Sequence, residues 1–314
     1  MEVKNKNNIL GINILYFFMA IALLTIGTMV QSLNIKTGLI ITEYFIVLMP
    51  GLAYLKLKGV PIAKYLRLNR LPVKHGLLIV FITILFYPVA MFFNLIVLTL
   101  LSSFGPLQQP PIPTASSAGE YIILLIIIAL SPGICEEVFF RGLLMRGYEG
   151  IGKIQAIVIS SVLFGIIHFN LQNIAGTTVL GLIFGILVYK TNSLYAGIIG
   201  HATNNGIAVT IGYIMNTAAE NVLPLEIETV QAPGMLQMAA ATIAIGVIAL
   251  VTGIIAFGLF RIIIKDTEKA NRIDEACESV PLEQPNLWAY SPVFLTVLIY
   301  LFMAFLQINQ MVKS

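Results

Sequence analysis

Tryptophan occurs once, cysteine twice and histidine three times in the 314 residues, and only 11% of positions are charged. Each scarcity closes off a class of answer. The two cysteines, Cys135 in an apolar run and Cys277 in a charged stretch, offer no disulfide framework. A net charge of +3 is too small to point to a nucleic-acid partner. No His-Glu-x-x-His sequence is present, so no helix offers the paired imidazoles of that metalloprotease form. No linker is long enough to separate soluble domains, and no internal repeat is visible.

What the chain has in abundance is apolar side chains. With 58% hydrophobic residues and a mean hydropathy of +0.92, it reads as an integral membrane protein. Crossing ~30 Å of hydrocarbon takes about 20 helical residues. Apolar runs recur at 9–32, 37–56, 76–103, 120–146, 153–170, 174–190, 193–215, 235–264 and 291–312. They predict an all-α polytopic fold, a single transmembrane helical domain over 1–314 with eight or nine spans, the three between 153 and 215 being short and closely joined. The first run is longer than a secretory core and no small-x-small cleavage site follows it, so a retained span is expected.

Lysine and arginine cluster in alternate loops: Lys4 and Lys6; Lys56, Lys58, Lys64, Arg67, Arg70 and Lys74; Arg146 and Lys153; Arg261, Lys265, Lys269 and Arg272. The opposite loops at 104–120 and 216–234 have none, which predicts a cytoplasmic N-terminus in the cell membrane. The segment 57–75 is too basic to span, and its mixture of Tyr65, Leu66, Leu68 and Leu71 with Lys64, Arg67 and Arg70 suggests a short helix on the cytoplasmic surface. Its plainest role is that of a positive anchor. The 265–290 stretch is mixed in charge and reads as solvated.

Six ionisable residues fall within the runs: Glu43, Glu136, Glu137, Arg141, His168 and His201. A charge at mid-bilayer costs ~2.5–3.5 kcal/mol on insertion scales, so such groups usually face a protein interior and mark function. Glu43 has no companion polar motif and reads as structural or facing the outer interface; His75, at a loop end, reads as a surface residue. Within "SPGICEEVFFRG" (131–142), Glu137 and Arg141 are i and i+4, the favourable order for an ion pair on one helix face. Glu136 points ~100° away and is left as a candidate general base or acid. "FGIIHFN" sets Phe164 one turn before His168, and "HATNN" sets His201 one turn before Asn205, with Asn204 the less favoured asparagine. An imidazole and a carboxamide on one face can donate together to an oxyanion. Counting the rise per residue from each span's start leaves ~13 Å between Glu136 and His168 along the membrane normal. Tilt, a later start for the fifth span or a kink at Pro132-Gly133 has to close that gap.

The ordered triplet Glu-Glu-x-x-x-Arg, Phe-x-x-x-His and His-x-x-x-Asn resembles the signature of the CAAX-protease and bacteriocin-processing family, which includes the type II CAAX prenyl endopeptidases of the Ras-converting kind. The resemblance covers about residues 120–215, which would be the catalytic core. It implies a glutamate-dependent intramembrane endopeptidase, opening to the cytoplasm, that removes the C-terminal tripeptide of prenylated CAAX proteins or peptides and uses no cofactor or metal. Membrane lipid and a prenylated C-terminus would be its partners. Carried over, Glu136 and His168 would activate water, His201 and Asn205 would stabilise the oxyanion, and Glu137, Arg141 and Phe164 would support them. Three rival readings use the same residues. Glu136, His168 and His201 could ligate zinc. Cys135 could be a nucleophile, although adjacent Cys135 and Glu136 diverge on a helix. A proton-coupled transporter or an immunity or scaffold protein would also bury Glu and His, but broken helices and pseudo-symmetric halves are not clearly present.

Overall fold

The computed structural model describes residues 9–107, 113–221, 234–271 and 286–313. Lys4, Lys6, Arg272, Cys277 and most of the lysine-free loop after residue 221 lie outside these described residues. Among the described residues there are helices and no strands. The long helices are α1 Ile9–Leu33, α2 Ile35–Leu57, α3 Val73–Leu101, α4 Ala118–Ile151, α5 Lys153–Ile166, α6 Leu171–Thr191, α7 Leu194–Asn221, α8 Met235–Lys269 and α9 Leu287–Lys313. Seven are long and apolar enough to cross a membrane. The other two are α5, only 14 residues long, and α7, which carries His201, Asn204 and Asn205. The chain is thus an all-α polytopic membrane protein.

In hydrocarbon a backbone must satisfy its own hydrogen bonds, so runs rich in Ile and Val form helices despite their modest helix propensity. Boundaries fall where side chains can take over: Asn34 accepts from the Thr37 amide (3.0 Å) to start α2, and Ser117 accepts from the Glu120 amide (3.2 Å) to start α4. Gly152, at φ 130°, reverses the chain between α4 and α5 in a conformation that suits glycine. Outward-facing Phe18, Ile123, Leu250 and Phe302 would be an aggregation surface in water, and they match lipid.

Inside, Tyr16, Phe139, Phe140, Leu143, Tyr148, Leu163 and Phe164 form the core among α1, α4 and α5. Buried polar groups tie the helices together. The Tyr16 hydroxyl donates to the Leu163 carbonyl (2.8 Å), Tyr148 to Asn13 (2.7 Å), and Asn13 in turn to the Ala289 carbonyl at the foot of α9 (2.7 Å).

The 57–75 segment contains one helical turn, Ile62–Tyr65, and does more than anchor. It buries Leu66 and Arg67. Arg67 makes a two-pronged pair with Glu149 (2.5 and 2.9 Å), and its carbonyl accepts from the Leu194 amide (2.9 Å). Ser193 donates to the Asn69 carbonyl (2.8 Å). The segment therefore clasps the α4–α5 and α6–α7 turns at one end of the bundle. His75 is buried rather than superficial, because Asp266 near the end of α8 reaches its Nε2 at 3.2 Å. The described start of the 265–290 stretch is helical, with Lys265, Glu268 and Lys269 exposed as a solvated segment would be and Asp266 paired to His75 and Lys74.

Four stretches widen to π-type turns with i to i+5 hydrogen bonding: Leu23–Gly27, Thr42–Leu48, Leu125–Leu130 and Val138–Leu144. Such turns redirect side chains and free carbonyls, and they concentrate near functional sites. Here three of them lie in α2 and α4 beside the polar residues described next.

Candidate active site

The polar site begins with the α4–α5 hairpin. The ~13 Å gap expected between Glu136 and His168 is absent because α4 does not stop near residue 146. Arg146, Gly147, Glu149 and Gly150 resemble a loop, yet the helix continues through them to Ile151. Glu136 and His168 then lie about fifteen residues from the turn on either side of it, and equal residue counts give nearly equal depth. His168 sits just past the end of α5, in a turn where Phe169 takes φ 47°.

A turn inside the membrane survives only if its backbone groups find partners within the protein. Asn170 accepts from the Gln172 amide (2.9 Å), and Asn94 of α3 faces the Gly176 amide (3.3 Å). Gln307 of α9 donates to the Phe169 carbonyl (2.6 Å) and accepts from the Leu171 amide (2.9 Å).

The expected Glu137–Arg141 pair is present at 2.6 Å, with both side chains fully buried. Arg141 also donates to the Gly181 carbonyl (3.2 Å), and its guanidinium lies 4.5 Å from the centre of the Phe164 ring. Glu137 does more than pair with Arg141, because its Oε1 also lies 2.9 Å from His201 Nδ1. A carboxylate only accepts, so Nδ1–H is the donor and Nε2 is left pointing toward Glu136, 3.7 Å from Oε2. His168 is fixed by the same logic, because its Nδ1 meets the Phe164 carbonyl at 2.7 Å and its Nε2 remains free to accept when the ring is neutral. Phe164 sits edge-on to both imidazoles, at 5.1 Å from His168 and 5.7 Å from His201, and Phe184 stacks on His201 at 5.6 Å.

Asn205 Nδ2 donates to the Ile128 carbonyl (3.0 Å), which belongs to a π-type turn of α4, while Asn204 donates to Asn205 Oδ1 (3.0 Å). One Nδ2 hydrogen of Asn205 remains for another acceptor. The pattern-based preference for Asn205 over Asn204 is only partly a separation of roles, since both line the same cavity.

Two adjoining cavities meet here, of about 400 and 410 Å³. Glu43, Glu136 and His168 line both; Phe164, Phe184, His201, Asn204 and Asn205 line the second. Cys135 is fully buried and lines neither. Among the described residues, no group of three or more His, Cys, Asp or Glu side chains is arranged to hold a metal ion.

Comparison with known proteins places this segment. Residues 118–207 match the family model for type II CAAX prenyl endopeptidase Rce1-like proteins. The resemblance carried by the three motifs is thereby shown over α4 to the middle of α7. The chain is also 31% identical over 88 residues to "Putative membrane peptidase YdiL" of Bacillus subtilis (strain 168), a stretch that covers 28% of this chain and 36% of that relative. The match thus spans about a third of the relative's length. No solved structure matches.

Two contributors lie outside the Rce1-like segment and escaped the motif reading. Glu43 of α2 is not at the outer interface; it is 7% exposed and its carboxyl lines the same two cavities as that of Glu136. Gln307 of α9 is the other. Phe184 lies inside the segment but looked like any core phenylalanine. No local sequence signal marks Gln307 or Phe184, and Glu43 stood out only as a charge within an apolar run.

Proposed function

We propose that this chain is an intramembrane endopeptidase in which Glu136 activates a water molecule, and that its substrates are prenylated C-terminal peptides of the CAAX type. The observation that carries the reading is the meeting of Glu136, His168, His201 and Asn205, from α4, the α5 turn and α7, on one cavity inside an apolar bundle. The Rce1-like match over the same residues supports the reaction class.

In this reading His168 Nε2 accepts a hydrogen bond from the water and aims its oxygen at the carbonyl carbon, while Glu136 takes the other proton. The carbon–oxygen bond forms and negative charge collects on the carbonyl oxygen. Asn205, with its spare amide hydrogen, and His201, through Nε2–H when the ring holds both protons, stabilise that charge, each donor being worth about 3 kcal/mol in comparable sites. The carbon–nitrogen bond then breaks as the leaving amine takes a proton from Glu136, releasing the terminal tripeptide and a new carboxyl. Glu137 and Arg141 hold His201 in place. The end of the bundle carrying Arg67, Arg146 and Lys153 faces the cytoplasm, by the positive-inside rule.

The test is cleavage of a farnesylated, fluorescently quenched CAAX peptide by purified protein. Wild type is expected to cut it, Glu136→Gln to lose at least 100-fold in kcat, and Cys135→Ser and chelator treatment to leave the rate within about twofold. Full activity in Glu136→Gln would falsify the reading. Loss with Cys135→Ser would install the thiol, and loss with chelator a metal.

A further inference from the structure

Glu43 remains unexplained by the mechanism above, although it is placed inside the same site. It sits at the start of the π-type turn of α2, lines both cavities and is 7% exposed. Its Oε2 is buried with no hydrogen-bond partner among the described groups. The buried cation of α4 is already engaged, since Arg141 serves Glu137 and the Gly181 carbonyl. The other ionisable groups on the elements packed around it are Cys135, Glu137 and Arg141 of α4, and on the shared cavities His168 beyond α5 and His201 of α7. A lone glutamate with no cation and no packing function is expensive in such a place. What shares both of its cavities is another carboxyl, Glu136, and two carboxyl groups brought together in one buried site attract only when a proton lies between them.

We infer that Glu43 and Glu136 act as a carboxyl pair sharing one proton, in which Glu43 positions and reloads Glu136 for both halves of peptide hydrolysis. The inference rests on the endopeptidase reading and deepens it. At rest the pair holds one proton. Glu136 takes a second from water as the water oxygen bonds to the carbonyl carbon; the hydroxyl left on carbon becomes part of the product carboxyl. When the carbon–nitrogen bond breaks, the leaving nitrogen takes one proton from the pair, which returns to one. No oxidant, metal or further reactant is needed. Glu43 reaches the chemistry through Glu136, so it is a positioning residue. It also places part of the reaction machinery in α2, outside the Rce1-like segment.

Full-length protein with Glu43→Gln, Glu43→Asp or Glu136→Gln, assayed on the farnesylated peptide, tests the pair. Glu43→Gln is expected to lower kcat about 100-fold while changing KM less than about threefold, and to remove one titrating step from the pH profile of kcat/KM, because the two steps belong to the pair. Glu43→Asp should recover part of the rate. If Glu43→Gln cuts at near wild-type rate with an unchanged profile while Glu136→Gln is inactive, the pair is refuted and the endopeptidase reading stands. Infrared difference spectra provide a readout without turnover. A protonated-carboxyl band that Glu43→Gln abolishes and Glu136→Gln shifts supports the pair even if the peptide is not cleaved; a band unmoved by Glu136→Gln overturns it.

Discussion

Gln307 grips the Phe169 carbonyl at 2.6 Å, one residue beyond His168, and its other amide atom takes the Leu171 amide at 2.9 Å. A side chain near the far end of the last helix thus fixes the backbone on which a candidate catalytic imidazole depends.

Replacing Gln307 by Leu removes both contacts and leaves two backbone groups unsatisfied within the membrane. Hydrogen bonds between membrane helices average about 0.6 kcal/mol and reach about 1.7, so a modest loss of roughly 1–2 kcal/mol in thermal unfolding of detergent-solubilised protein is expected. The effect on catalysis should be larger, at least tenfold in kcat, because a displacement of about 1 Å in a catalytic group can cost 100-fold. Parallel melts and kinetics check this; equal wild-type kcat would show that the clamp does not position His168.

The buried Glu137–Arg141 pair separates stability from chemistry. Removing one partner, as in Arg141→Met, strands a buried charge and should cost about 3–5 kcal/mol. The double change Glu137→Gln with Arg141→Met should recover much of that stability, since both charges are gone. Activity should stay low even so, because His201 Nδ1–H loses its carboxylate acceptor. Unfolding midpoints of the single and double variants, set beside their peptide-cleavage rates, decide the point.

Gly197 tests the same carboxylate sterically. A Cβ at this position would sit 2.5 Å from Glu137 Oε2 and 2.8 Å from Val188 Cγ2, and α7 can approach α4 this closely only because position 197 has no side chain. Gly197→Ala is expected to push Glu137 off His201, costing roughly 1–3 kcal/mol as overpacking and lowering kcat. An unchanged melt and rate would mean that the helices separate without disturbing the pair.

Spans and motifs were legible because both are local. Hydropathy has the length scale of a helix, and Glu137–Arg141 and His201–Asn205 repeat at one turn, so pattern and structure agree on them. Glu43, Gln307 and the buried His75 were illegible for the opposite reason. Each owes its role to a residue between 93 and 191 positions away, Glu136 across the shared cavities, Phe169 and Asp266 respectively, and nothing in its own neighbourhood announces the partner. The depth error had a different origin. Polar residues at 146–150 look like the end of a span, but outside hydrocarbon a helix can continue through them, and counting from the turn puts Glu136 about 22 Å from the hairpin end where counting from the other end of the span puts it about 9 Å away.

The α4–α5 hairpin has one more consequence. Because Glu136 and His168 are counted from a common turn at Gly152, the hairpin works as a folding ruler: its bend sets how far the two groups stand from the membrane face, and the equality of its arms sets whether they meet. Inserting one residue in one arm would rotate its group by about 100° and slide it by about 1.5 Å, destroying the meeting. Adding a matched pair of whole helical turns would instead carry the intact site to a new depth, so that, on the endopeptidase reading proposed above, the position of the cut along a membrane-bound substrate would change independently of the chemistry that makes it.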